Sequence, residues 1–244
     1  PSGTNHWRGL QLAGLIGCAW LLTLAVGLRL PFHQLHPLAL MAFVMLRSFL
    51  HTGLFIVAHD AMHSTLAPAS HRKLNRRIGQ GCLWAYAGLS FQRCLSHHIQ
   101  HHHSPGSATD PDYCSAAAPS PLAWYARFLS HYLNPIQLLR LAVCLGLLLL
   151  IMPSNQDQPL LTLALIYVIP LIISSWQLFV VGTFLPHRKS PHQTDGFHQP
   201  ISLDLHPILS FAACYHFGYH REHHSYAAVP WHQLPDARAA YTLI

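Results

Sequence analysis

The sequence has few charged residues for its length. Lys, Arg, Asp and Glu together make up 9% of the 244 residues, against about 25% in an ordinary soluble domain. So few charges cannot cover the wetted surface of a soluble globular protein. A hydrophobic content of 51% also argues against an intrinsically disordered chain. We therefore expect residues 1–244 to form a single membrane-embedded unit.

The sequence also lacks two common cofactor-related patterns. Its six cysteines are scattered and form no CxxC pair, which disfavours a disulfide framework and a zinc ribbon. It contains no GxGxxG or other evident nucleotide motif, so electrons for a redox reaction would have to come from another protein. The net charge of +6 resides beside long apolar runs. This arrangement favours a membrane face over nucleic acid as the partner of the basic residues.

Four apolar segments approach the length of a membrane-spanning helix, which is about 17–25 residues. They cover residues 10–30, 37–58, 136–152 and 160–185. Two further apolar stretches, at 82–91 and 207–217, are too short to span and predict re-entrant or interfacial helices. The predicted fold is therefore all-α, with about four transmembrane helices.

The basic residues indicate the orientation of these segments. The loop between segments three and four has no Lys or Arg, whereas basic residues follow segments two and four, at Arg72, Lys73, Arg76, Arg77, Arg188 and Lys189. The positive-inside rule then places both termini and the polar stretches 64–112 and 186–206 in the cytoplasm. We expect these polar stretches to form a helical cap on the membrane domain.

Histidine is abundant where charge is scarce. Three of the histidine groups have helical spacing: HxxxH at His59 and His63, HxxHH at His98, His101 and His102, and HxxHH at His220, His223 and His224. Residues three and four apart lie on one face of a helix, so each group can direct its imidazoles at one point. Imidazole nitrogen suits iron, zinc, copper or nickel. Eight imidazoles fit two ions better than one, and the predicted topology places all three groups on one side of the membrane.

Five segments resemble the membrane di-iron desaturase and hydroxylase superfamily, and in detail its carotenoid 4-ketolase (β-carotene ketolase) branch. They are HDAMH at 59–63, HHIQHHHSPGSATDPDY at 97–113, VGTFLPHR at 181–188, CYHFGYHREHH at 214–224 and VPWHQLP at 229–235. The resemblance runs from about residue 45 to residue 235. Two departures are small. Ser64 stands where the family usually has Gly, which we expect to alter close helix packing, and Tyr113 stands where Phe is common.

The resemblance implies a site with two ferrous ions and with O2 as co-substrate. The eight spaced histidines would be the metal ligands and the catalytic centre, and a ninth ligand would follow the fourth span. His187 is our choice for that ligand, and His216 is the alternative. If His187 is the ligand, we expect His216 to lie next to the ligands without binding the metal. Asp60 and Asp112 are our candidates for accepting ligand N–H groups. Candidate substrate contacts are the aromatic residues near the boxes: Phe91, Tyr113, Trp124, Phe217, Tyr219 and Trp231.

The activity that the resemblance implies is ketolation at C4 and C4′ of the β-ionone rings of β-carotene or its 3-hydroxy derivatives. Two successive hydroxylations at the allylic C4 would give a geminal diol, which loses water to leave a ketone. The carotenoid would enter from the bilayer of a bacterial inner or thylakoid membrane. A ferredoxin or similar donor would supply electrons on the cytoplasmic side. The basic loop at 72–77 would attract this donor or contact lipid headgroups.

The sequence leaves three alternatives open. A membrane hydroxylase or desaturase acting on another lipid would share the histidine boxes. A histidine-rich metal transporter would place its ligands near the bilayer midplane, whereas here the boxes lie beyond the ends of the spans. A di-haem cytochrome would show a strong Soret band.

Overall fold

A computed structural model describes residues 7–114, 120–188 and 200–241, and in these residues it contains helices, turns and no β-strand. The all-α prediction is confirmed. Lys189 and the adjoining part of the polar stretch, up to residue 199, lie outside the described residues. The helices in the described ranges are α1 (Arg8–Gly27), α2 (Pro37–Met62), α3 (Arg72–Ala87), α4 (Phe91–His103), α5 (Pro121–Tyr132), α6 (Pro135–Leu150), α7 (Pro159–His187), α8 (Pro207–Cys214), α9 (His220–Ser225) and α10 (Leu234–Tyr241).

Three of these helices are long and apolar enough to cross a membrane: α1, α2 and α7. Helices α5 and α6 meet at an angle of 87° and form a fourth candidate span if they are counted together. The prediction of about four spans is confirmed. Proline begins five helices, where its missing N–H costs nothing because the first turn has no intrahelical acceptor. These helices are α2, α5, α6, α7 and α8.

Helix α7 runs for 29 residues and contains two π-helical turns, at Ala164–Val168 and Val180–Phe184. Arg47 of α2 packs against the first of these turns. Its Nε donates to the carbonyl of Ile166 over 3.0 Å, and its Nη1 donates to the carbonyl of Trp20 over 2.7 Å. Arg47 thus ties α1, α2 and α7 together through backbone acceptors in the apolar interior.

Contacts between the loops show which helix ends lie together at each end of the bundle. The amide of Gln156, in the α6–α7 loop, donates to the carbonyls of Leu28 and Leu30 in the α1–α2 loop. These two loops therefore lie at one end of the bundle. The carboxyl ends of α2 and α7, near His63 and His187, lie at the other end, where the histidines of α4 and α9 meet them. The three spaced histidine groups and His187 come together at that end.

Candidate metal centre

Nine histidines converge in two adjoining clusters at this end of the bundle. Within each cluster, one ring nitrogen from every member lies within 4.8 Å of the others. The first cluster consists of His59, His63, His98, His102 and His223, and the second of His101, His187, His220 and His224. These are the eight residues of the three spaced groups together with His187. Each HxxHH group is divided between the clusters, which helical spacing alone does not reveal.

The ring nitrogens face one another at close range. His98 Nε2 lies 2.6 Å from His63 Nε2, and His224 Nε2 lies 3.1 Å from the Nε2 atoms of both His101 and His220. A neutral imidazole has one N–H and one lone pair, so a single proton on His224 cannot satisfy both neighbours. Lone pairs therefore meet at the centre of the cluster, which is the arrangement that a cation compensates.

The ring nitrogens of His59 are a second indication of a metal site. Its side chain is buried, and neither ring nitrogen has a hydrogen-bond partner among the described residues. Its ring packs against His98 and Phe217, with centroids 4.5 and 4.6 Å away. Buried polar groups of folded proteins are nearly always paired or bound to an ion. The two orphaned nitrogens thus fit a metal ligand better than a packing residue.

Burial keeps most of these imidazoles neutral. It lowers the pKa of His63 to about 4 and that of His102 to about 3, with neighbouring histidines adding repulsion at His102. The pKa values of His98, His220 and His223 are also held well below the ordinary value, first by burial and then by adjacent imidazoles. Neutral imidazole is the form that binds a metal, so these five histidines are in their ligating form at neutral pH.

The geometry fits transition-metal ions of the kind that imidazole binds. Metal–imidazole bonds are about 2.0–2.1 Å long, so two such bonds at a right angle separate their nitrogens by about 3 Å. The closest nitrogen pairs, at 2.6 to 3.1 Å, fall near that value. The two clusters also adjoin, because the rings of His102 and His224 stack with centroids 4.3 Å apart. Each cluster therefore has the donor atoms and the spacing of a metal site.

In the part of the chain that the structure describes, Asp110 is the carboxylate within hydrogen-bond distance of a box histidine. Both of its oxygens lie 3.0 Å from Nδ1 of His101, and the carboxylate also accepts the backbone N–H of Gly106. Burial lowers the pKa of His101, but the bond to Asp110 and the nearby charge of Asp112 outweigh it and leave that pKa raised. Asp110 therefore fixes the orientation of His101 and directs Nε2 into the second cluster.

The two acids singled out from the sequence have other partners. Asp60 accepts the backbone N–H of Trp231, and its carboxylate lies 3.8 Å from His59 Nδ1, too far for a hydrogen bond. The carboxylate of Asp112 accepts the hydroxyl of Tyr132. Asp110, and neither Asp60 nor Asp112, therefore hydrogen-bonds a ligand histidine among the described residues, and the prediction for those two acids is wrong. Asp110 lies nine residues after His101 in an irregular loop, so no helical spacing could have indicated it.

His187 and His216 occupy different surroundings. His187 is buried in the second cluster, with its ring 4.7 Å from that of His101 and 4.8 Å from that of His220. His216 belongs to neither cluster and stacks on Tyr219. His216 shares no helix with His220, so it is not directed at the cluster by helical spacing. Left-handed backbone at Tyr215 and His216, with φ of 48° and 64°, ends α8 before α9 begins.

An apolar cleft of about 270 Å³ reaches both clusters. His59 and His98 of the first cluster and His101 and His220 of the second line its inner wall. Its other walls come from α2, α3, α5, α6 and α7. At the outer end the lining includes Leu133, Leu138 and Ile172, apolar side chains that are exposed on the outside of the bundle.

The six candidate substrate aromatics are distributed over several regions. Phe217 lines the cleft. Tyr113 and Trp124 pack with Phe179 in a separate apolar cluster. Phe91 fills the space over Gly79, Tyr219 hydrogen-bonds the carbonyl of Leu205, and Trp231 packs against Tyr215. Sequence proximity to the boxes did not indicate the aromatics of α5 that line the cleft, namely Tyr125, Phe128 and Tyr132.

Comparison with known proteins places the chain in a family. The model of the fatty acid desaturase family matches residues 33–159 and 136–242. The chain belongs to the fatty acid desaturase family. This membership and the apolar helices together indicate a membrane protein, and the histidine clusters indicate that it holds a metal centre.

Individual relatives within this family are carotenoid enzymes. A β-carotene ketolase of Paracoccus sp. is 36% identical over 98% of this chain and 95% of its own length. A β-carotene ketolase of Haematococcus lacustris is 35% identical over 78% of this chain and 59% of its own length. A zeaxanthin 4-ketolase of Chlamydomonas reinhardtii is 36% identical over 78% and 42% of the respective chains. The resemblance to the ketolase branch, drawn from five sequence segments, is confirmed.

Proposed function

We propose that this chain is a carotenoid 4-ketolase whose two histidine clusters hold two iron ions and whose reaction uses O2. The observation that carries the proposal is the meeting of nine histidines with an apolar cleft. The β-carotene and zeaxanthin ketolases among its relatives support a carotenoid ring as the substrate.

The first cluster would hold one ion and the second cluster the other. Ferrous ions bound there would supply the electrons that convert O2 into an oxidant able to attack an allylic C–H bond. The chain itself contributes the position of that bond. His59, His98, His101 and His220 form the part of the cleft wall that belongs to the clusters, so a ring inserted to its full depth would place its C4 methylene against these four histidines.

The remaining lining would hold and orient the ring. Leu178 and Phe217 supply apolar contact beside the clusters, and such a lining keeps bulk water away from the reacting carbon. The polyene would leave the cleft past Leu133, Leu138 and Ile172. A rigid apolar substrate would thus enter from the bilayer rather than from water. Two hydroxylations at C4 and loss of water from the geminal diol would give the ketone.

The electron donor would be a ferredoxin or a similar protein on the cytoplasmic side. Four exposed basic residues at the start of α3 support this part of the proposal: Arg72, Lys73, Arg76 and Arg77. Replacing all four by Gln should lower turnover with ferredoxin while leaving metal content unchanged, because charge steers an acidic partner to its site. Unchanged turnover at low and physiological salt would assign these residues to lipid headgroups instead.

The proposal is tested by expressing the chain in a bacterium that makes β-carotene. We expect echinenone and canthaxanthin, detected by chromatography and a red-shifted absorption, and iron in the purified protein. His98→Ala and His223→Ala should abolish both products and lower bound iron. Oxidised acyl chains without ketocarotenoids would identify another lipid hydroxylase. A strong Soret band would contradict the non-haem site.

A further inference from the structure

One carboxylate lies in the apolar cleft beside the metal ligands. Asp112 lines the cleft together with His98, His101 and His220. A carboxylate oxygen of Asp112 lies within 4.8 Å of the ligand atoms of both His101 and Asp110. The Nδ1 atom of His101 is already bonded to Asp110, so Asp112 is not needed to orient that ring.

Three hydrogen bonds fix the position of Asp112. Its backbone N–H donates to Asp110 Oδ1 over 2.9 Å, and its carbonyl accepts Nε1 of Trp124 over 2.8 Å. The hydroxyl of Tyr132 donates to Oδ1 over 2.9 Å. The other oxygen, Oδ2, has no hydrogen-bond partner among the described residues. The carboxylate is therefore held rigidly, with acceptor capacity to spare.

An acceptor in this place is unfavourable for an unsubstituted ring. A β-ionone ring carries no hydrogen-bond donor, so among the described side chains Tyr132 alone would donate to this carboxylate, and its remaining acceptor capacity would go unused. A ring that carries a hydroxyl group would supply the missing donor. A site built to bond a hydroxyl discriminates strongly against the analogue that lacks it.

We propose that Asp112, held in place by Tyr132, binds a hydroxyl group on the ring at the reacting end of the carotenoid. This inference rests on the proposed ketolase function. The hydroxyl can come from two sources with the same chemistry. One is the C4 alcohol formed by the first oxidation, and the other is a C3 hydroxyl already present on the substrate. Binding the C4 alcohol retains it for the second oxidation, and binding the C3 hydroxyl favours zeaxanthin over β-carotene.

The test compares product ratios, which do not depend on expression level or total activity. With β-carotene as the sole substrate, Asp112→Leu should raise the ratio of 4-hydroxy to 4-keto products about tenfold, the scale of one lost charge-assisted hydrogen bond. Asp112→Asn keeps an acceptor oxygen and should return the ratio towards that of the wild type. A purely structural defect would lower both products together.

A second arm offers β-carotene and zeaxanthin in competition. Loss of zeaxanthin preference in Asp112→Leu assigns the C3 hydroxyl as the ligand, and accumulation of the 4-hydroxy product in the first arm assigns the C4 alcohol. Tyr132→Phe should move the ratios in the same direction by a smaller factor. Tyr167→Phe is the matched control, since it also removes a buried tyrosine hydroxyl, one that bonds the carbonyls of Ala85 and Tyr86 and does not line the cleft, and it should leave both ratios unchanged.

The outcomes distinguish failure of the Asp112 role from failure of the ketolase function. Unchanged ratios in both arms for Asp112→Leu, from a chain that still makes ketone, overturn the role of Asp112 and leave the ketolase function in place. If Asp112→Leu does not fold, Tyr132→Phe decides by the same ratios. Absence of any oxygenated carotenoid from the wild-type chain overturns the ketolase function and this inference with it.

Discussion

Both carboxylate oxygens of Asp110 lie 3.0 Å from Nδ1 of His101, and this contact orients the ring towards the second cluster. Asp110→Asn should weaken metal binding by about 10- to 100-fold, the usual effect of removing a partner behind a ligating histidine. Metal content after dialysis against graded chelator measures the effect. Asp157→Asn, an exposed loop position at the opposite end of the bundle, is the control. Equal retention in the two variants would contradict the orienting role.

The division of the histidines into two clusters predicts that ligand variants fall into two classes. His63→Ala belongs to the first cluster and His187→Ala to the second. If each cluster binds one ion, each variant should lose about half of the bound metal, and the double variant nearly all of it. Metal analysis of the purified proteins tests this. Full metal content in His187→Ala would remove that residue from the ligand set.

The buried imidazoles predict how the metal-free protein responds to acid. Burial lowers the pKa of His63 to about 4 and that of His102 to about 3, whereas unfolded histidine titrates near 6.5. Between these values the unfolded chain binds protons that the folded chain does not. The chelated protein should therefore lose stability as the pH falls below about 6.5. Thermal unfolding in detergent at about pH 7.5 and about pH 5 checks this, and equal midpoints would contradict it.

Ser64 adopts left-handed backbone, with φ of 60°. Because glycine accepts this conformation without strain, Ser64→Gly should stabilise the turn after α2 by about 0.5–1 kcal/mol. The departure from the usual family residue thus concerns backbone strain rather than helix packing. Ser104→Gly is the matched control, since Ser104 ends α4 with φ of −146°, and it should be neutral or destabilising. Thermal inactivation half-lives of both variants compare them, and a shorter half-life for Ser64→Gly than for the wild type would be inconsistent with strain.

Two glycines of α3 should respond oppositely to alanine. A Cβ at Gly79 would lie 2.3 Å from the ring of Phe91 and 2.7 Å from Cβ of Ala61 on α2. Gly79→Ala should force α3 away from α2 and destabilise the fold by about 1–3 kcal/mol. A Cβ at Gly81 meets nothing within 4 Å, so Gly81→Ala should be neutral or slightly stabilising. Unfolding midpoints of the pair test the close packing, and similar midpoints would argue against it.

Hydropathy and spacing predicted much of this protein, because both are local properties. The runs at 10–30, 37–58 and 160–185 became α1, α2 and α7 with shifts of a few residues at their ends. The segment at 136–152 is less regular. Its helix begins at Pro135, and the preceding α5 turns away from it by 87°. A bend at a proline-started helix depends on what α5 packs against, and hydropathy carries no such information.

The site shows the same division. Helical spacing identified eight histidines, and the resemblance added His187. Neither helical spacing nor the resemblance could indicate that His98 and His102 join one cluster while His101 joins the other. Neither could it identify Asp110 as the partner of His101 or Asp112 as the carboxylate in the cleft, because their positions depend on an irregular loop.

The amino-acid sequence by itself determined that this chain is helical and membrane-embedded. It also determined that the spaced histidines share one face of their helices. Charge content, hydropathy and periodicity suffice for these conclusions because each acts within a few turns of chain. Only the tertiary structure decided which imidazoles meet, which carboxylate orients them and where the apolar cleft reaches them. Those relations join residues more than a hundred positions apart, such as His101 and His224. They arise from the packing of α2, α4, α7 and α9 against one another.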